Sequence, residues 1–359
     1  CSLVGSEMCI RDRLNLCCLS PRFSIRRTQH PPEGIPVKPT TFSKSRKLRK
    51  KKKDQRHRSL QLESLEDRRL LTFDTPVVNV PGQGFDQANP VNPADHVGAA
   101  GLQFYLQAVN SSAAPGGSSV QIYNKSDGSP VGVPFAMSSL ASTGSACSFG
   151  LGDPQIEYDQ LANRWVLMEF MDDSESTPDN PGFANGDPNN GLCFYVSQSS
   201  NPNPQAGGAW NSYSFFTQAF PDYPKLGIWN DAYYVGTNET GPDPGAYAFD
   251  RTNMLQGLAA RPFQRFSALP LPNAGFQVVS PANINGTTLP PTGSGQYFAR
   301  HLDDEYHGIN LDPFNDFIEI FEYNVDFDTP ANSNFNLVQR VPIDDFDTDL
   351  CGGTGAIVA

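Results

Sequence analysis

The stretch Arg164-Trp-Val-Leu-Met-Glu-Phe-Met171 decides the fold. It carries apolar side chains at both odd and even positions, so a strand formed by it has two buried faces instead of one buried and one wet face. Helical periodicity is nearly absent from the residues around it. The pattern is typical of a strand in a sheet that lies between two other sheets.

The same kind of segment recurs at Gln103–Asn110, Asp231–Asn238 and Gly295–Leu302. The four segments start 61, 67 and 64 residues apart. Each is followed by a second run centred on an aromatic residue, and these runs are Val120–Lys125, Leu192–Ser197, Ala246–Arg251 and Ile318–Tyr323. The body of the chain is therefore an internal repeat.

Two more strands complete each unit. Short apolar segments such as Ile156–Asp159 and Leu226–Trp229 precede the repeated segment and are followed by turn residues. A fourth strand follows at Trp210–Thr217, Phe263–Pro270 and Phe335–Pro342. Four strands in roughly 64 residues match a β-propeller blade. We predict an all-β fold in residues 73–359, an incomplete β-propeller of about four four-stranded blades with about 16 strands in four meanders.

The alternative fold is a pair of tandem β-sandwiches, which also gives many short strands between turns. The regular repeat spacing favours the propeller. Few closed propellers have only four blades. The chain stops at Cys351–Ala359, where a fifth unit would begin. We therefore expect an open ring in a chain that is truncated at its C-terminus.

Charge separates the N-terminal region from this body. Residues 1–72 contain 18 of the 26 Lys and Arg residues and 7 acids, whereas residues 73–359 contain 8 basic residues and 31 acids. The acidic body argues against a nucleic-acid partner. The basic run Lys44–Arg58 has no apolar face, so we expect residues 1–58 to be disordered.

The chain begins with Cys1 instead of Met, and residues 1–13 resemble the translation of a sequencing-library adapter. We expect this stretch to be an artefact and the chain to be a fragment, so residues 1–13 carry no information about the fold.

Residues 59–72 predict a short amphipathic helix, since Leu62, Leu65 and Leu70 lie roughly on one side of it. The run Leu62-Glu-Ser-Leu-Glu-Asp-Arg-Arg-Leu-Leu71 resembles the LEPR-XLL type of N-terminal segment found on large exported bacterial proteins. This resemblance implies an extracellular or cell-surface location in a bacterium. No run in the sequence approaches the roughly 20 apolar residues of a transmembrane segment.

Residues 91–350 also resemble a family of uncharacterised secreted bacterial proteins. The matching motifs are Tyr105–Asn110, Gly152–Pro154, Tyr158–Asp159, Ala162–Trp165, Phe220–Pro224, Ala248–Arg251 and Arg300–Glu305. The resemblance implies export and a longer parent protein. It brings no assigned activity and no catalytic residues.

The body contains three cysteines, none with metal-binding spacing. Cys147 and Cys193 are consistent with one disulfide in an oxidising compartment or with a pair of buried free thiols. The sequence leaves both alternatives open.

Strong catalytic motifs are missing, including phosphate loops, HExxH and GxSxG. The densest acidic clusters are residues 172–190 and 303–315, which contain nine carboxylates and both join the second and third strands of a unit. Such loops emerge on the same face of a propeller, and hard oxygen ligands suit Ca²⁺. We predict a Ca²⁺ site at Asp172, Asp173, Asp303, Asp304 and Glu305, with solvated polar loops as the alternative.

His301 and His307 bracket the acids of the second loop. They are consistent with a transition-metal site or an acid–base pair, or with ordinary surface histidines.

Two functions from different classes follow. The first is a non-catalytic extracellular binding or structural module, stabilised by Ca²⁺, whose partner is an unidentified extracellular ligand or polymer. It predicts no buried, pKa-shifted carboxylate pair in the axial channel. The alternative is a secreted enzyme that acts on polysaccharide or a related polymer at the propeller axis, and it predicts convergent carboxylates with aromatic platforms there.

Overall fold

The computed structural model describes residues 78–84, 91–112, 116–172, 190–239, 243–273, 276–286, 288–309, 311–312 and 314–348. All of them belong to one compact unit, residues 75–359. The predicted disorder of residues 1–58 and the predicted helix at residues 59–72 lie outside the described residues.

Sixteen strands form four sheets in the described part of the chain. Sheet 1 contains β1 (Val97–Ala100), β2 (Phe104–Asn110), β3 (Ser118–Asn124) and β4 (Pro130–Ala136). Sheet 2 contains β5 (Gly150–Asp159), β6 (Arg164–Asp172), β7 (Asn190–Ser197) and β8 (Trp210–Phe216).

Sheets 3 and 4 repeat this order. Sheet 3 contains β9 (Asp222–Ile228), β10 (Tyr233–Asn238), β11 (Gly245–Phe249) and β12 (Gln264–Ser267). Sheet 4 contains β13 (Ser280–Pro281), β14 (Gln296–Leu302), β15 (Asn315–Asn324) and β16 (Asn334–Asp344). Each sheet is an antiparallel meander in sequence order, which confirms the predicted all-β fold with four four-stranded units.

Helical structure is short in the described residues. Helix α1 (Arg251–Gln256) begins after Asp250, whose side chain accepts the Asn253 N–H, and it ends at Gly257 with a φ of 70°. Single 3₁₀ turns lie at Met137–Leu140, Ala146–Ser148, Pro204–Ala206 and Pro330–Asn332. None of the described helices is both long and apolar enough to cross a membrane.

Both faces of β6 are buried, as its sequence predicts. Trp165 and Leu167 belong to a core cluster shared with sheet 1, whereas Val166 and Met168 belong to a cluster shared with sheet 3. A third cluster joins sheets 3 and 4 around Tyr234, Phe298 and related aromatic residues. The sheets therefore stack one after another by their faces.

The first strands of consecutive sheets lie next to one another, β1 beside β5, β5 beside β9, and β9 beside β13. This is the arrangement of propeller blades around an axis, with the first strand of each blade innermost. A tandem sandwich would pair each sheet with one partner, whereas sheets 2 and 3 are each packed between two neighbours. The propeller-like arrangement is therefore the observed one.

Cys147 and Cys193 form a disulfide, which rules out the free-thiol alternative in this structure. The bond joins the 3₁₀ turn before β5 to strand β7, and both residues are buried in the cluster between sheets 1 and 2.

Candidate active site

Three aspartates lie at the starts of three consecutive innermost strands. Asp95 precedes β1 by two residues, Asp153 lies in the first half of β5, and Asp222 begins β9. The carboxyl group of Asp153 shares a hydrogen bond with Asp95, and the charges of Asp95 and Asp222 both act on it. We call Asp95, Asp153 and Asp222 the axial aspartates.

Asn110 holds two of the axial aspartates in place. Its Nδ2 donates to Asp95 Oδ2 over 2.6 Å, and its Oδ1 accepts the backbone N–H of Asp153 over 2.8 Å. Gly152 makes this contact sterically feasible, because a Cβ at this residue would lie 2.5 Å from Asn110 Oδ1. Its φ of 121° also favours glycine.

Asn238 has the same role for the third aspartate. Asn110 ends β2 and Asn238 ends β10, so the two residues are equivalent positions of the repeat. The Asn238 side chain hydrogen-bonds Asp222, and its Oδ1 accepts the Gln277 N–H over 2.9 Å. The repeat therefore places one asparagine beside Asp95 and an equivalent asparagine beside Asp222.

Partial burial makes two of the axial carboxyl groups, those of Asp153 and Asp222, weak acids. Together with the neighbouring Asp95 and, to a smaller extent, Asp222, it raises the pKa of Asp153 to about 7, while the hydrogen bond with Asn110 acts in the opposite direction. Burial also raises the pKa of Asp222, against the hydrogen bond from Asn238. A substantial fraction of Asp153 is therefore protonated at neutral pH.

An aromatic pair lies beside these carboxyl groups. Tyr223 directly follows Asp222, and its ring meets that of Phe276 edge to face with centroids 5.1 Å apart. Phe276 is 53% exposed, which leaves part of this aromatic surface open to solvent. The Lys225 Nζ lies 3.3 Å from the centroid of the Tyr223 ring, and burial lowers the pKa of this lysine.

Backbone strain is concentrated at the same place. Among the described residues, five non-glycine residues have positive φ, and three of them are Asp95 at 37°, Asp153 at 50° and Tyr223 at 50°. Such conformations cost about 1–3 kcal/mol each and cluster at functional sites, where the surrounding structure enforces them.

A fourth carboxyl group lies further along the innermost strand β5. Burial raises the pKa of Glu157 to about 7, while a hydrogen bond from Asn283 acts in the opposite direction. Asn283 donates from Nδ2 to Glu157 Oε2 over 2.7 Å and accepts the Ile228 N–H at its Oδ1. The amide of Asn283 thus connects the innermost strands of sheets 2 and 3 around this group.

The predicted metal ligands occupy different places. Asp303 and Asp304 are buried and Glu305 is exposed in the connection between β14 and β15. Asp172 ends β6, whereas Asp173 and the rest of residues 173–189 lie outside the described residues. Both acidic loops do connect the second and third strands of their sheets, but their common face remains a prediction.

The two histidines of the second acidic loop differ in burial. His307 is buried, and its Nδ1 lies 2.9 Å from the carbonyl oxygen of Pro272, to which it donates a hydrogen bond. His301 is more exposed, near the end of β14, and partial burial lowers its pKa.

The sequence patterns did not identify the axial aspartates as a site. A signal was present, because Asp153 lies in Gly152-Asp-Pro154 and Asp222 lies in Phe220-Pro-Asp-Tyr-Pro224, at the starts of innermost strands in neighbouring units. Both motifs belong to the family resemblance, which brings no assigned activity. The periodic asparagines at residues 110 and 238 are a second signal.

No family model and no curated protein matches the chain. Solved structures with some similarity include a family 117 glycoside hydrolase from the marine bacterium Zobellia galactanivorans, 10% identical, with a TM-score of 0.35 and 73% of each chain covered. An engineered GH43 glycoside hydrolase with endo-xylanase and exo-arabinofuranosidase activity is 13% identical, with a TM-score of 0.27, covering 69% of this chain and 42% of that one.

A third similar structure is described as an exo-β-1,3-galactanase of Bifidobacterium bifidum s17. It is 10% identical, with a TM-score of 0.31, and the similarity covers 72% of this chain and 89% of that chain. Similarities at this level assign neither a function nor a site to the chain.

Proposed function

We propose that the protein is a secreted hydrolase of polysaccharides and that the axial aspartates are its catalytic group. The observation that carries the proposal is the hydrogen bond between the carboxyl groups of Asp153 and Asp95, with the pKa of Asp153 raised to about 7 and the charge of Asp222 acting on the same group. The axial aspartates are partly buried, and a non-catalytic module predicts no pKa-shifted carboxylate pair at the axis. The aromatic surface of Tyr223 and Phe276 beside it is the platform that the enzyme hypothesis predicts.

Glycoside hydrolysis needs two carboxyl groups in different protonation states. Asp153 fits the general acid, which donates its proton to the glycosidic oxygen as the bond from that oxygen to the sugar carbon breaks. Asp95 already receives hydrogen bonds from Asn110 and Asp153, so it fits a positioning residue that keeps the proton on Asp153. Asp222 remains as the carboxylate that attacks the sugar carbon or activates a water molecule.

Separate observations support the binding of sugars and the export of the protein. An exposed ring such as that of Phe276 suits stacking against the apolar face of a sugar. The Lys225 ammonium group contacts the Tyr223 ring, and the charges of all three axial aspartates act on it, so it is placed to donate hydrogen bonds to sugar hydroxyls. The Cys147–Cys193 disulfide supports an oxidising, extracellular compartment, in agreement with the LEPR-XLL resemblance.

The test is release of reducing sugar from a panel of neutral and acidic polysaccharides by the full chain. We expect Asp153→Asn and Asp222→Asn each to lower kcat/KM at least about 100-fold. Asp127→Asn is the control, because Asp127 lies in the hairpin between β3 and β4, where its side chain accepts hydrogen bonds from Ser129.

Binding of a polysaccharide in affinity electrophoresis without any hydrolysis would favour the non-catalytic module instead. Hydrolysis that survives Asp153→Asn would contradict the assignment of the acid.

A further inference from the structure

A second group of carboxylates lies away from the axis, in sheet 4. It consists of Asp303, Asp304 and Glu305 in the connection after β14 and of Asp316 near the start of β15, and we call it the loop carboxylates. One oxygen each of Asp303, Glu305 and Asp316 lies within 4.8 Å of the others. Two oxygens on opposite sides of a calcium ion are about 5 Å apart, so this spacing fits a shared ion.

Asp304 supplies an independent sign of a missing cation. Its side chain is fully buried, and Oδ2 accepts the N–H groups of Leu311 and Asp312. Its other oxygen, Oδ1, is buried without a hydrogen-bond donor from the described residues. The Asp304 and Glu305 carboxyl groups lie within hydrogen-bond distance of each other, and two carboxylates this close need a shared proton or a cation between them. A buried carboxylate oxygen without a partner is costly unless a cation binds it.

Four other buried acids in the described residues are matched by arginine. Asp159, Asp250, Glu239 and Glu319 form ion pairs with Arg251, Arg261, Arg265 and Arg300, respectively. Among the described residues, no Lys or Arg forms an ion pair with a loop carboxylate. The nearby charges that act on them include His307 and the further acid Asp345. In the described part of the chain, the negative charge of this group therefore has no lysine or arginine partner.

Backbone donors orient the Asp303 and Asp316 side chains as well as that of Asp304. Asp303 Oδ2 accepts the N–H and the hydroxyl of Thr348 over 2.8 and 2.7 Å. Asp316 accepts the Asp304 N–H at Oδ1 and the Phe346 N–H at Oδ2, over 2.8 and 2.7 Å. The same contacts tie the residues after β16 to the β14–β15 connection, so an ion here would join both segments.

We propose that the loop carboxylates bind one Ca²⁺ ion, with Asp303, Asp304 Oδ1, Glu305 and Asp316 as protein ligands. All four offer the hard oxygen atoms that Ca²⁺ prefers, and water completes the six to eight ligands the ion requires. The site lies in one loop and the strand that follows it. It is independent of the proposed hydrolase activity.

The experiment is isothermal titration of the full chain with Ca²⁺ after removal of metal ions with EDTA, together with thermal melts in the same buffers. We expect one saturable site and a melting temperature that rises with Ca²⁺ concentration. Glu305→Gln should weaken Ca²⁺ binding at least about 10-fold and reduce the thermal shift accordingly. Glu305 is exposed, so this variant should keep its fold.

Asp312→Asn is the matched control from the same loop, because Asp312 bonds Phe314 and Asn315 and is not one of the loop carboxylates. It should bind Ca²⁺ like the unaltered chain. Extracellular calcium modules bind the ion with dissociation constants of up to about 1 mM. Absence of saturable binding at Ca²⁺ concentrations up to about 10 mM would therefore overturn the proposal. Equal affinity of Glu305→Gln and the unaltered chain would overturn it as well.

Discussion

Arg251 binds Asp159 with two parallel hydrogen bonds across the junction of sheets 2 and 3. Nε lies 2.7 Å from Oδ2 and the second guanidinium nitrogen lies 3.0 Å from Oδ1. The Asp159 side chain is fully buried at the end of β5, and Arg251 begins helix α1 after β11. The hydroxyl of Tyr233 donates to the same carboxylate over 3.2 Å.

Removing this arginine should be strongly destabilising. Arg251→Met leaves the buried charge of Asp159 without its counter-ion, and we expect a loss of about 3–5 kcal/mol in the free energy of unfolding. Urea denaturation followed by tryptophan fluorescence measures this loss. Arg164→Met, which removes an arginine that donates to backbone carbonyls, should change stability by less than about 1 kcal/mol. Equal losses in the two variants would contradict the role of the pair.

The pH dependence of hydrolysis should report the proton on Asp153. Because the general acid must be protonated, kcat/KM should fall as the pH rises through about 7, the raised pKa of Asp153. Asp95→Asn removes the negative neighbour that raises this pKa, so the falling limb should move to lower pH. If the variant is too slow to assay, NMR titration of the Asp153 carboxyl carbon gives the same pKa. A falling limb at the same pH in Asp95→Asn as in the unaltered chain would contradict the contact between Asp95 and Asp153.

Glu169 should make stability depend on pH. It is buried in β6 between sheets 1 and 2, where burial raises its pKa from 4.5 to about 8 and the Tyr195 hydroxyl donates to its Oε1 over 3.1 Å. The folded state therefore keeps a proton that the unfolded chain loses above pH 4.5, so the free energy of unfolding should fall as the pH rises from about 4.5 to 8.

Glu169→Gln should reduce this slope, as measured by urea denaturation at a series of pH values, and Asp153 and Glu157, whose pKa values are raised to about 7, should account for part of the slope that is left. Glu322→Gln in β15 should keep the slope of the unaltered chain, because Glu322 is only partly buried. A Glu169→Gln variant with an unchanged slope would show that other groups cause it.

Gly152 offers a way to disturb the axial aspartates without touching a carboxyl group. In Gly152→Ala the new Cβ would meet Asn110 Oδ1, which should displace Asn110 and lower kcat/KM at least about 10-fold. Gly286→Ala is the control, because Gly286 has a similar φ of 107° and a Cβ added there would meet no atom within 4 Å. Both variants carry backbone strain, so a loss confined to Gly152→Ala isolates the displacement of Asn110.

The repeat could be predicted from the sequence because strands buried on both faces carry an uninterrupted apolar pattern, as Trp165 and Val166 illustrate. Strand β13 was not predicted from the sequence, because its two residues, Ser280 and Pro281, carry no such pattern. The axial aspartates were not predicted as a site for another reason. They are 58 and 69 residues apart, one in each of the first three units, and only the close approach of the innermost strands makes them a group. The high local density of acidic residues indicated the loops at residues 172–190 and 303–315 instead.

The disulfide should contribute measurably to stability. Cys147→Ala together with Cys193→Ala removes a crosslink between residues 46 positions apart, and we expect a loss of about 2–4 kcal/mol. Urea denaturation measures the loss, and mass spectrometry of non-reduced peptides from protein secreted by a bacterial host tests whether the bond forms. A reduced pair in that protein would contradict the disulfide.

The sharing of each core cluster by two consecutive sheets has a consequence for amide hydrogen exchange. Sheets 2 and 3 each contribute to two clusters, whereas sheets 1 and 4 each contribute to one in the described residues. No sheet can therefore separate from its neighbours without exposing part of a core that the next sheet also uses. Exchange should be slowest in β7 and β10, where it requires both neighbouring clusters to open, and fastest along β4 and β16, which form sheet edges.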